Sequence, residues 1–424
     1  MKEKVKQNYH WVIAGVVLLA LTVCGGIMNS FNGIVLIPIT ESLGVSRGAF
    51  TAATITRNVM SFLLSLFSGI LFVKFGYRKL VFACLLISAS GFLLGATGQT
   101  LTVMCIACVL DGTYSVCTIA GPPRIIGTWF HRHYGLVMGI VTSATGFGGS
   151  IFSIILAKIV KDFSWRAVYL TTGVLFASVA VLILLVIRNK PEEIGLKPYG
   201  EGEHAQKKKK HDEDHWPGFY MDELKKKPAY YLLVIGTLLS SICVYMAFFV
   251  VSPYLQDCGM QLEVAATVQG LMLFGLAGSK LLLGFISDKI GAKRVTIISM
   301  VALIVSMVML VYIRRAVFAY VTVLIYSVGL LMAGFIPMIL LPSLFGYHSG
   351  PKAMGIVMAM ISAANMIANP LTNSLRDALG SYKPVFMGTA IVSVGVLVLY
   401  LVMFAMAAKD KKKYYAMHPE EILQ

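Results

Sequence analysis

Charge is scarce in this 424-residue chain. Asp, Glu, Lys and Arg make up 13% of it and apolar residues 57%, with a mean hydropathy of +0.78. A soluble globular domain carries about a quarter charged residues. The shortage excludes a surface bathed in water and makes the bilayer the solvent. Acid is scarcer than base, with 20 Asp and Glu against 36 Lys and Arg, for a formal charge of +16. Such a balance raises nucleic acid as a partner, but no basic face with base-stacking or groove-reading elements accompanies it. The seven cysteines form no framework: Cys24, Cys84, Cys105, Cys108, Cys117 and Cys243 lie inside apolar runs, where a thiol behaves as a small hydrophobe. Cys105-Ile-Ala-Cys108 has paired spacing but no second pair or histidine beside it, so neither a disulfide set nor a metal site is expected. Cofactor fingerprints and nucleophile constellations are missing as well, so no cofactor is expected and an enzyme is disfavoured. No small-residue cleavage site follows the first apolar run, which therefore reads as a retained first helix.

What the chain has instead is long apolar runs. Twelve of them, each able to span a bilayer, fall near 11–38, 48–73, 79–98, 101–124, 135–158, 165–188, 229–255, 263–287, 295–313, 316–341, 353–375 and 384–407. The expected fold is an all-α membrane protein, with twelve transmembrane helices in two pseudo-symmetric six-helix bundles. The expected division is 1–188, a polar cytoplasmic linker 189–228 holding Lys207 to Lys210, 229–408, and a cytoplasmic tail 409–424. Placing both termini and the linker inside puts 26 of the 36 Lys and Arg on the cytoplasmic side, eight outside and two within spans. That asymmetry is the positive-inside pattern of a multi-pass plasma-membrane protein, expected in a bacterial inner membrane. The lysine run and the tail Lys409 to Lys413 either attract anionic lipid or simply anchor the chain.

Two loops nearly repeat each other 215 residues apart: Gly69-Ile-Leu-Phe-Val-Lys-Phe-Gly-Tyr-Arg-Lys and Gly284-Phe-Ile-Ser-Asp-Lys-Ile-Gly-Ala-Lys-Arg. Internal repeats of membrane halves are a transporter plan. Both runs resemble the G-x-L-x-D-R/K-x-G-R-R/K signature of the major facilitator superfamily. The resemblance implies a gating loop at Gly69, Gly76 and Arg78 and a second at Gly284, Asp288, Lys289, Gly291 and Arg294. Val73 stands where the first copy should be acidic. A carboxylate latch is thus expected only at Asp288, the bland reading being a solvated loop charge. Trp129-Phe-His-Arg-His-Tyr-Gly-Leu-Val-Met-Gly-Ile and Asn189-Lys-Pro-Glu-Glu-Ile-Gly-Leu-Lys-Pro are similar to stretches of monocarboxylate transporters and oxalate:formate antiporters. In such carriers an arginine that binds the substrate anion stands where Lys280 stands here. The antiporters also carry a lysine in helix eleven, at the place of Ile361, which counts against oxalate.

Arg57, Asp111 and Lys280 fall well inside spans. A charge at a helix centre costs about 2.5–3.5 kcal/mol on insertion scales, so such groups tend to face a cavity and mark the pathway. Lys280 is expected to bind the substrate anion, or else to snorkel to the interface. Arg57 and Asp111 are expected to pair, either as a static brace or with Asp111 accepting a proton while Arg57 shares the substrate. Asn29, Asn32, Tyr114, Tyr245, Tyr326, Asn365 and Asn369 are neutral polar groups in apolar helices. They either orient a ligand or join helices.

The resulting expectation is a monomeric secondary transporter of a small organic anion. A lactate- or pyruvate-type monocarboxylate with proton symport leads; oxalate/formate or dicarboxylate exchange comes second, and a drug efflux carrier or non-transporting membrane sensor third.

Overall fold

In lipid every backbone N–H and C=O must find its partner within its own segment, so apolar runs resolve into helices. The computed structural model of the chain describes residues 9–130, 134–199, 219–313, 315–346 and 350–417. Among these the only strand-like pairing is one bridge, between Phe130 and Tyr199. The helices are α1 (Tyr9–Leu43), α2 (55–75), α3 (77–96), α4 (Leu101–Trp129), α5 (Tyr134–Asp162), α6 (Trp165–Val186), α7 (Pro228–Phe248), α8 (Leu262–Ile290), α9 (Ala292–Val311), α10 (Ala316–Ala333), α11 (Gly350–Leu379) and α12 (Lys383–Met417). Among the described residues eleven helices are long and apolar enough to span, Phe67–Ala96 one of them; the helix that contains it, Ile55–Ala96, turns at Gly76 and supplies both α2 and α3. The protein is an all-α membrane protein of twelve spans, six in each half of the sequence.

The repeat is visible in the backbone. Gly76 has φ 73° and ψ 161°, and Gly291 has φ 83° and ψ 152°. Both open the next helix in a region open essentially to glycine alone. Two details differ from the sequence reading. The tenth apolar run breaks at Gly334 (φ 152°) and restarts as a separate helix, Phe335–Phe345, which accommodates Pro337 and Pro342. Beyond Ala408, α12 stays helical through the tail lysines.

The chain packs as two compact units, residues 1–204 with 251–277, and residues 205–250 with 278–424. α8 contributes to both.

In the first unit, Phe31 meets Phe92 and Tyr169 edge-on at 5.3 and 4.8 Å. At one end the Tyr9 hydroxyl donates to the Val186 carbonyl. The His10 Nε2 lies 2.8 Å from the Lys197 carbonyl, and Trp129 Nε1 donates to Arg188 O at 3.2 Å. Residues 188–199 are thereby strapped to the bundle. At the opposite end Arg47 grips Asp257 with two bonds of 2.7 Å, and Lys161 pairs with Glu263. In the second unit, α11 and α12 both pack on α7, and α12 also packs on α9.

Candidate functional site

The polar centre of the first unit is built on α1, α2 and α4. Arg57 Nε donates to Asp111 Oδ1 at 2.5 Å and Nη2 to Oδ2 at 2.7 Å. This is the two-armed geometry that suits guanidinium and carboxylate. Arg57 Nη1 donates to Asn32 Oδ1 at 2.9 Å, and Nη2 also faces the Cys108 sulfur at 3.7 Å. The Arg57 and Asp111 side chains are 4% and 1% exposed, so each nitrogen of the guanidinium is engaged in a buried site. Gly112 allows this approach of α2 to α4, since a Cβ there would lie 2.6 Å from the Arg57 carbonyl. Tyr114, half-buried, follows three residues after Asp111 and feels the charges of the pair.

Asn29, one turn before Asn32 on α1, donates from Nδ2 to Thr145 O at 3.3 Å. Its own carbonyl accepts from Gln269 Nε2 at 3.5 Å. Gln269 is fully buried. Its Oε1 has no partner among the described residues and lies over Gly33. Sequence reasoning passed over Gln269, although an amide inside the apolar run Val268 to Gly275 was the available signal. It also passed over the ion pairs of Arg47 and Lys161.

In the second unit Tyr245 of α7 lies near Asn365 of α11 and stacks on Phe249 with ring centres 6.4 Å apart. Asn369 is drawn into a ladder on α11: Asn373 Nδ2 donates to Asn369 Oδ1 at 2.9 Å, and the Tyr382 hydroxyl donates to Asn373 Oδ1 at 2.6 Å. The Tyr326 hydroxyl is committed to the Val244 carbonyl at 2.5 Å, and its ring is wholly buried. That bond ties α10 to α7. Arg376 is half-buried beside Asp377 and over the Tyr382 ring at 5.8 Å.

Lys280 lies on α8, half-buried. Among the described residues no hydrogen bond or ion pair reaches its ammonium group. The two cations thus differ: the guanidinium is neutralised in place, whereas no described residue supplies the ammonium with a counter-charge. A partly desolvated ammonium is matched by a small anion.

Of the residues expected in the gating loops, Arg78 uses its backbone N–H on Asn189 Oδ1 at 2.9 Å and its Nε on the Leu184 carbonyl at 2.6 Å. A cation at the carboxyl end of α6 satisfies a free carbonyl and the helix dipole, so the loop that lacks an acid is held without one. Gly69 stands in open space and Arg294 is exposed. The burial of Gly284 and the side chains of Asp288 and Lys289 lie outside the described residues, as do His131 to His133 and Lys207 to Lys210.

The sequence matches the Major Facilitator Superfamily profile over residues 17–351. It is 24% identical over 273 residues to the uncharacterised MFS-type transporter YcxA of Bacillus subtilis, covering 63% of this chain and 64% of that protein. The chain thus spans just under two thirds of that relative's length. It is 22% identical over 359 residues to the agnestins efflux protein AgnL12 of Paecilomyces divaricatus (82% and 74% covered). To monocarboxylate transporter 11 of Homo sapiens it is 21% identical over 328 residues (74% and 66%). The fold superposes on a bacterial homologue of the human lysosomal transporter Spinster, crystallised inward-facing and unoccupied, with a TM-score of 0.69 at 14% identity, covering 94% of this chain and 96% of that one. A profile match over most of the chain, a twelve-span helical fold and a repeated glycine turn converge on one conclusion: the chain belongs to the Major Facilitator Superfamily.

Proposed function

We propose that this carrier moves a small organic anion, a monocarboxylate of the lactate or pyruvate type, by alternating access of its two six-helix halves, 1–188 and 229–408, with proton symport. The observation that carries the reading is the half-buried ammonium of Lys280, which no carboxylate of the described residues neutralises. Lys280 supplies the charge that meets the substrate carboxylate. Asn29, Tyr114, Tyr245 and Asn365 are polar groups of half-buried residues suited to orient its remaining atoms, while Asn32, Tyr326 and Asn369 hold the helices in place. Asp111 is the coupling group. Both its oxygens are held by Arg57, so a proton arriving on Asp111 removes the charge that fixes the guanidinium and frees it toward the substrate. One proton with one monoanion leaves the cycle electroneutral. Positive-inside charge supports a plasma-membrane location with both termini cytoplasmic.

Uptake of labelled lactate, pyruvate and oxalate into proteoliposomes, with and without an inward proton gradient, tests the reading. Monocarboxylate uptake should rise with the gradient, and Asp111→Asn should lose that rise. Uptake of none of the three acids would sink it. The resemblance to the agnestins efflux protein over 82% of this chain favours a second reading, a drug efflux carrier. Oxalate accumulation by counterflow without a proton gradient would favour exchange instead.

A further inference from the structure

At one end of the second unit, two basic stretches far apart in sequence are knotted together. Lys227 Nζ lies 3.4 Å from Asp410 Oδ1 and 4.8 Å from the centre of the Phe219 ring. Phe219 is buried, meets Tyr414 edge-on at 5.3 Å, and donates its backbone N–H to the Phe345 carbonyl at 3.0 Å. Residues 219–227 are thereby fixed against the last turns of α12. The knot uses Lys227 and Asp410 on each other. It leaves Lys225, Lys226, Lys409, Lys412 and Lys413 exposed on the two joined segments, against two exposed acids, Asp222 and Glu223.

The depth of this cluster selects its partner. α12 passes from its apolar span into the lysines without a break, since Met406, Ala407 and Ala408 are followed directly by Lys409 within one helix. At 1.5 Å per residue, Lys413 stands only about 8 Å beyond Ala408. The headgroup layer on each side of a bilayer is roughly 5–8 Å thick, and charges within a Debye length of about 8–10 Å still act on it. The ammonium groups therefore stand at the height of lipid phosphates, held on folded segments.

We infer that Lys225, Lys226, Lys409, Lys412 and Lys413 form one headgroup site that retains an anionic phospholipid, with the Phe219–Tyr414 and Lys227–Asp410 contacts positioning its two halves. Each lysine contributes about a fivefold gain in affinity for an anionic surface.

The test is native mass spectrometry of the full-length protein titrated with phosphatidylglycerol or with phosphatidylcholine of the same chains. Phosphatidylglycerol should be retained preferentially. The triple variant Lys409→Gln, Lys412→Gln, Lys413→Gln should weaken its retention roughly 100-fold, whereas the corresponding triple arginine variant keeps it. Asp410→Ala leaves all five lysines and adds net positive charge, yet should weaken retention several-fold because the knot is undone. Equal retention of the two lipids, retention unchanged in the triple Gln variant, tighter retention in Asp410→Ala, or displacement of the lipid by millimolar inorganic phosphate would each overturn the site.

Discussion

Arg57 has no freedom left to respond to anything except a change at Asp111, because its three nitrogens are engaged by Asp111, Asn32 and Cys108 in a buried setting. Asp111→Asn strands a charge in a low-dielectric interior, so thermal unfolding in detergent should show a loss of about 3–5 kcal/mol. Replacing both partners, Arg57→Met with Asp111→Leu, should recover most of that loss. A double variant as unstable as the single one would contradict the pairing account. Gln269 is the opposite case. Its Oε1 is buried without a partner among the described residues, and an unsatisfied acceptor costs about 1–3 kcal/mol. Gln269→Met, similar in shape, should leave the melting temperature unchanged or raise it. A marked fall would mean that the amide makes a bond on which the fold depends.

The turn at Gly76 is where a single atom decides whether two helices can follow each other. Its backbone lies in a region that strains any other residue by about 1–3 kcal/mol, and a Cβ there would stand 3.0 Å from Asn189 Oδ1. Gly76→Ala should lower stability by at least about 1 kcal/mol and loosen residues 188–199, read by hydrogen exchange at Arg78 and Leu196. Gly69→Ala, in open space inside α2, should be neutral or mildly stabilising. The two glycine turns were legible in the sequence because the same spacing of glycine and cations recurs after two apolar runs. The interruption of α10 at Gly334 was not, since an apolar run has no means of showing how its prolines bend it. Nor was the fate of Tyr326, whose hydroxyl goes to a backbone carbonyl that only the neighbour relation of α10 and α7 determines.

For the whole molecule, twelve spans follow from hydropathy and charge asymmetry alone, because lipid tolerates few alternatives. The meeting of Arg57 and Asp111 was legible for a related reason: two opposite charges inside spans have few stable choices other than each other. The Arg47–Asp257 and Lys161–Glu263 pairs were hidden, since loop charges pair according to which helices end side by side. Those pairs hold residues 251–277 to the first unit, and Asp257→Asn should speed hydrogen exchange in that segment more than in the rest of α8. What remains distinctive is the contrast between a neutralised guanidinium and an ammonium with no counter-charge among the described residues. A charge-assisted contact to a carboxylate is worth about 2 kcal/mol or more when partly desolvated, which corresponds to roughly a 30-fold change in rate or affinity. Lactate uptake by proteoliposomes of Lys280→Ala, set beside Lys280→Arg, is the measurement that decides. The alanine variant should fall at least about 30-fold while the arginine variant retains uptake, and an alanine variant that transports lactate within twofold of the unaltered protein would contradict the anion-binding role of Lys280.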